Sequence, residues 1–279
     1  MGIFPEPPSE VTPGITNPHT ARRNLFALSG LILWVVALVP PVLSWAGNYE
    51  FVQALQFSLF CLVIPFLLVV GGPWRWLALT SDEPFQVDSD GKLVGPTRLR
   101  RFDVVARSMK AHKGHRRAVI FVLLFVADVI LWRLSPVVDT LVHNSWLTIV
   151  ESLCLVIVGA LLWVELVVAP PFEPSANRPY RIGVSAVAMW TLWVIAYLMA
   201  MGQGSWYPAF HYSAGRWPSA WLDQLLTMGL IWFISAGAFL PVIFSNLNQW
   251  LKSEDDPDDE LHQLIRKDRV RGFFGARPS

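Results

Sequence analysis

One apolar stretch limits what this chain can fold into more than any other feature. From Gln53 to Trp74 the residues are almost all apolar after the first turn, and about 20 helical residues are enough to cross the hydrocarbon layer of a bilayer. Pro65 lies near the middle, and Gly71-Gly72-Pro73 closes the stretch, since neither residue type extends a helix well. A proline at membrane depth needs neighbouring helices to satisfy the carbonyl that it leaves free. We therefore expect this helix to be packed inside a bundle.

The composition agrees with a membrane protein. Hydrophobic residues make up 53% of the 279 residues and charged residues only 15%, whereas soluble domains carry about 25% charged residues. The formal net charge is +1, so no global field favours a nucleic-acid partner, and the first partner that we expect is membrane lipid. Both cysteines, Cys61 and Cys154, lie in apolar segments, which gives no sign of a disulfide framework.

Apolar stretches long enough to cross a bilayer recur along the chain and predict an all-α fold, a polytopic transmembrane helix bundle with six spans. Residues 1–24 are expected to form a disordered cytoplasmic tail, residues 25–247 the six-helix domain with a cytoplasmic loop at 75–117, and residues 248–279 a second cytoplasmic tail. The predicted spans are Leu25–Leu43, Gln53–Trp74, Ala118–Leu134, Trp146–Ala169, Ile182–Met201 and Trp221–Leu247.

The basic residues of the loops predict the orientation. Ten Lys and Arg residues lie between Arg75 and Arg117, six lie in the C-terminal tail, and Arg22 and Arg23 precede the first span. The alternate loops hold almost none, with no basic residue from Ser44 to Glu50. Since basic loops stay in the cytoplasm, both termini are expected there, in a bacterial cytoplasmic membrane.

The long basic loop carries two further patterns. Apolar residues recur at helical spacing from Leu99 to His112 between basic ones, which favours either a helix on an anionic membrane surface or a solvated loop helix. The segment from Asp88 to Lys92 has the acidic spacing of a calcium loop, but Leu99 stands where the closing glutamate belongs. A tight turn is the better interpretation of that segment.

Polar residues inside the spans are expensive and usually face a bundle interior or water. In the predicted orientation seven of them share the outer depth, which predicts a polar pocket open to the periplasm. Chance placement near helix ends is the alternative, and Asp223 has the simpler interpretation of a helix N-cap. Asp128 and Arg133 are close enough in sequence to pair, and Glu165 lies apart, toward the cytoplasm. The predicted outer polar residues are Gln53, Gln56, Asp128, Arg133, Glu151, Asp223 and Gln224.

Three segments resemble the CtaG-type cytochrome c oxidase assembly factors. That family has a helix reading His-Met-x-Gln-His, an apolar run, a proline and Gly-x-Pro, and this chain has Gln53-Ala-Leu-Gln56-Phe57, Pro65 and Gly71-Gly72-Pro73. The family's Glu-His pair, Gly and Trp correspond to Glu151-Ser152, Gly159 and Trp163. Its last span opens with Asp-Gln, then Gly and Trp, as in Asp223-Gln224, Gly229 and Trp232. The resemblance covers most of residues 25–270.

The resemblance implies copper delivery, for which histidines are natural ligands. Gln53, Phe57, Thr148 and Ser152 stand at the matching positions, and these side chains are poor copper ligands. We therefore make no firm cofactor prediction, although copper binding is possible through a substitute site. Thioether and imidazole groups near the outer face are its candidates, with helix packing and solvent exposure as the simpler interpretation. These candidates are Met199, Met201, His143 and His211.

The resulting functional hypothesis is a membrane assembly factor that assists biogenesis of a respiratory haem–copper oxidase by binding, not as an enzyme. Its partners would be subunits of the oxidase or of another membrane complex. The alternative is a structural accessory subunit of such a complex with no metal role. A membrane enzyme or transporter is a third class, but the sequence shows no nucleophile–base pair and no inverted repeat.

Overall fold

The fold is known from a computed structural model. It describes residues 18–76, 86–87, 93–94, 115–169, 172, 174–201, 206–210 and 217–254.

Helices make up nearly all of this described part. The only sheet in it is a two-stranded antiparallel ribbon of β1 (Gln86–Val87) and β2 (Leu93–Val94) in the long loop. Between α3 and α4 the backbone forms a π-helical segment, Leu59–Val63. The helices are α1 (Pro18–Ala37), α2 (Pro40–Asn48), α3 (Glu50–Ser58), α4 (Ile64–Gly71), α5 (His115–Arg133), α6 (Ser135–His143), α7 (Ser145–Leu166), α8 (Arg178–Met201) and α9 (Ala220–Glu254).

The helices confirm the predicted all-α membrane-spanning bundle. Four are long and apolar enough to cross a membrane, and there are up to six spans if each of two bent helix pairs counts as one. The bends measure 60° between α1 and α2 and 64° between α5 and α6. Each short helix starts with a proline in its first two positions, where proline starts a helix readily but cannot continue the preceding one. The first predicted span is therefore broken near its end, and the third ends at its bend.

The central helix runs through α3, the π-helical segment and α4. In its most apolar window 67% of the residues are buried, compared with 28% in α9, which confirms that this helix is packed inside the bundle. Pro65 cannot donate a backbone hydrogen bond, and the π-helical segment lies just before it. The indole Nε1 of Trp163 donates to the carbonyl oxygen of Leu62 at 3.0 Å. A neighbouring helix thus satisfies backbone beside the proline, and Gly72 ends α4 with φ of 63°, as predicted.

Glycines allow two close helix contacts. A Cβ atom at Gly159 would lie 2.6 Å from the carbonyl oxygen of Cys61 and 2.8 Å from Cγ of Pro65. A Cβ atom at Gly71 would lie 2.3 Å from the backbone nitrogen of Ala27. Only glycine lets α7 approach the π-helical segment, and α4 approach α1, this closely.

The long helices pack side by side in a bundle. α8 packs on α9, α1 on α4, α3 on α9, and α5 on both α7 and α8. The short helices α2 and α6 lie at one end of the bundle and contact each other. We call this the outer end, in keeping with the predicted orientation, which the fold itself does not determine.

Helix boundaries differ modestly from the predicted ones. α1 begins at Pro18, so the end of the predicted disordered tail is helical, and α9 continues past Leu247 to Glu254. Residues 1–17, 88–92, 99–112 and 255–279, with the predicted turn and surface helix, lie outside the described residues.

Candidate functional site

A small cavity lies at the outer end, between the short helices and the starts of two spans. Its volume is about 30 Å³, which is room for one or two water-sized groups. Residues of α2 and α6 line one side. Polar residues of α3 and α7 line the other. We call it the outer cavity, and its lining residues are Leu43, Ala46, Gly47, Gln53, Gln56, Leu141, Val142, Ser145, Thr148 and Glu151.

Three of the predicted polar residues, Gln53, Gln56 and Glu151, come together at this cavity. Nε2 of Gln56 donates to the carbonyl oxygen of Ala37 at 2.6 Å, which leaves its carboxamide oxygen as an acceptor. Glu151 is 2% exposed, and its Oε1 has no hydrogen-bond partner among the described residues. A buried polar atom without a partner is costly, and Glu151 is the one acidic residue among the described residues that line the cavity.

Arg133 contacts the outer cavity indirectly, through a hydrogen bond to Gln53. Its Nη1 donates to Oε1 of Gln53 at 2.6 Å, and its guanidinium carbon lies 4.1 Å from the ring centroid of Phe57, a cation–π distance. Within the described part of the chain, its Nε and Nη2 have no hydrogen-bond partner. The hydroxyl of Tyr207 donates to the backbone oxygen of Arg133 at 3.1 Å, and burial raises the pKa of that phenol, which keeps it protonated as a donor.

Asp128 does not form the predicted ion pair. Its Oδ1 accepts a hydrogen bond from Nε1 of Trp132 at 2.9 Å, whereas Arg133 turns toward Gln53. Five residues along a helix place two side chains on different faces. Asp128 therefore lies outside the cavity lining, although it is close enough to interact electrostatically with Glu151.

Asp223 and Gln224 also have other roles than lining the cavity. Asp223 is fully buried, and its carboxylate accepts hydrogen bonds from the backbone N–H groups of Glu50 at 3.1 Å and Phe51 at 2.8 Å. It thus caps the start of α3, not of its own helix, and a carboxylate there is favoured by the helix dipole. Nε2 of Gln224 donates to the backbone oxygen of Met199, which ties α9 to the end of α8.

Glu165 lies toward the opposite end of α7 and is completely paired. Its Oε1 accepts from Nε of Arg117, and its Oε2 accepts from the backbone N–H and the hydroxyl of Ser175 at 2.9 and 2.7 Å. Three segments meet at this carboxylate: the start of α5, the end of α7 and the connection to α8. These contacts make it a structural junction.

A second, larger cavity opens between α5 and α8. Its volume is about 520 Å³, and its walls are mainly apolar side chains such as Ile130, Trp190 and Val194. Several of these are exposed on the outside of the bundle, where a membrane protein meets lipid. Arg133, Thr191 and Tyr207 add polar groups to this lining.

The residues at the outer cavity do not fit copper. Carboxamide, hydroxyl and carboxylate oxygens are hard ligands, whereas Cu(I) prefers thiolate, thioether and imidazole. The described residues contain no group of three or more His, Cys, Asp and Glu residues placed to hold a metal ion.

The substitute copper ligands are dispersed. Met199 is buried, with its sulfur 3.9 Å from the hydroxyl of Tyr207. Met201 is exposed at the end of α8, and His143 is exposed at the end of α6. His211 lies outside the described residues. Met199, Met201 and His143 therefore have different surroundings. Copper binding through these candidates stays a prediction.

Sequence reasoning missed the residues of the short helices that close the cavity. Ala46, Gly47, Leu141 and Val142 lie in segments that were interpreted as loops or span ends. The prolines at the starts of these segments are the signal that marks them as separate helices. The connection from Arg133 to Gln53 had no signal in the sequence, since it joins two distant helices.

The fold and the outer cavity define a multi-pass membrane helix bundle with a small polar chamber at one end. The chain belongs to the cytochrome c oxidase caa3 assembly factor family (Caa3_CtaG), whose family model matches residues 13–253. This confirms the resemblance seen in the three motif segments. No curated protein and no solved structure matches the chain.

Proposed function

We propose that this protein assists the biogenesis of a haem–copper cytochrome c oxidase in the bacterial cytoplasmic membrane. The family match over residues 13–253 carries this proposal, because it covers every membrane-spanning helix of the described part. The spans place the protein in the same bilayer as the oxidase subunits that it would help to assemble.

We propose further that it acts by binding and not by turnover. A hydrolytic or transfer site needs a nucleophile with a base in hydrogen-bond reach. The groups at the outer cavity are two carboxamides, two hydroxyls and one carboxylate. They suit the holding of a small polar ligand.

The outer cavity is the proposed working site. It combines burial with an unsatisfied carboxylate oxygen, and the partly hydrogen-bonded guanidinium of Arg133 contacts it through Gln53. Such groups inside a membrane protein usually mark a functional site. Glu165, by contrast, has all its partners within the fold.

Deletion of the gene in its host tests the proposal. Membranes without the protein should contain less mature oxidase, measured by haem spectra and by oxidation of reduced cytochrome c, and the native gene should restore both. An unchanged oxidase level in the deletion strain would contradict an assembly role.

Co-purification separates this role from the alternative of a permanent accessory subunit. Oxidase subunits trapped by crosslinking in growing cells should include incompletely assembled forms bound to this protein. The mature, purified oxidase should lack it. A stoichiometric amount in the mature complex would favour the accessory subunit.

A further inference from the structure

Two parts of the bundle repeat the same sequence of elements. The first contains α1, α2 and the central helix, and the second contains α5, α6 and α7. In each, a long helix is followed by a nine-residue helix with a proline at its start. One residue in extended conformation, Tyr49 or Asn144, then leads into a span of 22 residues. Pro40–Asn48 aligns with Ser135–His143 without an insertion.

The outer cavity lies at the seam between these two units. The fourth residues of the two 22-residue spans are Gln53 and Thr148, and the seventh residues are Gln56 and Glu151. All four line the cavity. The opposite wall is also built from equivalent positions, since Ala46 aligns with Leu141 and Gly47 with Val142. In membrane proteins with internal repeats, the interface between the repeats is a frequent location of ion sites.

The chemistry of the seam is that of a hard-cation site. One oxygen of the Glu151 carboxylate has no partner among the described residues, the carboxamide oxygen of Gln56 is left as an acceptor, and Thr148 adds a hydroxyl to the lining. Oxygen ligands suit hard cations, and a single carboxylate among neutral oxygens matches one positive charge. The volume of about 30 Å³ admits one such ion.

The surrounding charges leave room for that ion. Glu151 lies within electrostatic range of both Arg133 and Asp128, but the hydrogen bond of Arg133 goes to Gln53 and its guanidinium lies over Phe57. Asp128 is only partly buried, whereas Glu151 is buried and its Oε1 has no hydrogen-bond partner among the described residues. A buried carboxylate is unfavourable unless it is paired or neutralised.

We propose that the outer cavity binds a single monovalent cation of about the size of Na⁺, held by Glu151, Gln56 and Thr148. The proposal rests on the outer cavity as the working site, and it does not require the oxidase as partner. Because Gln56 belongs to the first unit and Thr148 and Glu151 to the second, the bound ion joins the two units.

The test is a sodium titration of the purified full-length protein in detergent, with choline chloride keeping the ionic strength constant. Sodium should raise the temperature of unfolding, and choline should not. KCl and CaCl₂ titrations give the size and charge preference, for which we expect weaker responses than to Na⁺.

Variants locate the site. Glu151→Gln and the nearly isosteric Thr148→Val should each weaken the apparent sodium affinity by at least about tenfold. Ser152→Ala is the matched control, because Ser152 is buried on the same helix but its hydroxyl contacts Trp34 and the carbonyl oxygen of Ile149. That control should keep the native affinity.

Two results would overturn the proposal. One is a native protein whose unfolding temperature responds equally to sodium and choline. The other is a sodium response of native strength in both folded cavity variants, verified by gel filtration and helical circular dichroism. Oxidase assembly in cells is measured separately, so a failure of ion binding would leave the assembly role to be judged on its own experiment.

Discussion

Glu151 and Glu165 are two buried carboxylates on one helix, α7, in opposite situations. Both are at most 2% exposed. Glu165 accepts hydrogen bonds at both oxygens from Arg117 and Ser175, whereas Oε1 of Glu151 has no partner in the part of the chain that the structure describes. Burial alone therefore does not distinguish a structural acid from a functional one.

The difference lies in what surrounds each group. The fold provides Glu165 with a cation and two donors, so its charge stabilises the junction at that end of the bundle. Glu151, in contrast, lies next to the outer cavity. An acid that the fold leaves unsatisfied next to a cavity is available to a ligand.

The largest expected effect concerns the structural acid. Glu165→Gln should lower the free energy of unfolding by about 3–5 kcal/mol, because it leaves Arg117 without its buried counter-charge. Glu151→Gln should change that free energy by less than about 1 kcal/mol in sodium-free buffer, since Oε1 of Glu151 has no hydrogen-bond partner among the described residues. Chemical unfolding in mixed micelles measures both, and equal losses in the two variants would remove the distinction.

A second test concerns the packing that brings α7 to the central helix. Gly159→Ala should cost about 1–3 kcal/mol, because its Cβ would overlap the carbonyl oxygen of Cys61 and the ring of Pro65. Gly229→Ala is the control, since nothing lies within 4 Å of its Cβ position, and it should be neutral or slightly stabilising. A tolerated Gly159→Ala would show that this contact is looser than described.

The cap of α3 should have an intermediate effect. Asp223→Ala removes a carboxylate that accepts from two backbone N–H groups at the start of the central helix, and it should cost about 1–2 kcal/mol. Ser219→Ala is a matched change at an exposed cap with a longer contact of 3.4 Å, and it should cost only a few tenths of a kcal/mol. Similar losses for both would contradict the buried cap, and melting curves in detergent measure the difference.

Removal of a single hydrogen bond should have a smaller effect. Trp163→Phe keeps an aromatic ring beside Phe66 and Phe239 but loses the indole donor to Leu62. It should cost about 1 kcal/mol. The same change at exposed Trp232 provides the control and should be close to neutral. A neutral Trp163→Phe would indicate that the backbone beside Pro65 needs no external donor.

The smallest expected effect is on copper. The oxygen ligands of the outer cavity do not favour Cu(I), so the purified protein should have no tight copper site there. Competition against a Cu(I) chelator measures this, and any copper bound should depend on Met199, Met201, His143 or His211. Tight stoichiometric binding that survives replacement of all four by alanine would contradict the prediction.

Much of the fold was accessible from the sequence, because membrane spans are long and apolar. The central helix, its end at Gly72, the start of α7 and the end of α8 follow from hydropathy and from glycine and proline. The two bends did not follow, although Pro40-Pro41 and Pro136 mark them. A hydropathy window averages across a bend, so the first predicted span runs into α2, whereas α6 falls between the third and fourth predicted spans.

The site was less accessible, since it depends on contacts between distant segments. Polar residues at a common depth indicated where to look, and three of them line one cavity. The depth of a residue in the membrane does not show whether its side chain lines the cavity. Asp223 caps α3 and Gln224 bonds the end of α8, although both share the depth of the cavity residues. The direction of each side chain depends on the rotation of its helix about the helix axis, and helix packing sets that rotation.

The most direct test of the account is oxidase assembly by cells that carry Glu151→Gln in place of the native residue. The measured quantity is oxidase activity in membranes, divided by the amount of this protein in the same membranes. The account predicts a native amount of Glu151→Gln protein with reduced oxidase activity, while Ser152→Ala, the neighbouring control, retains both. Full oxidase activity with Glu151→Gln would contradict the outer cavity as the working site.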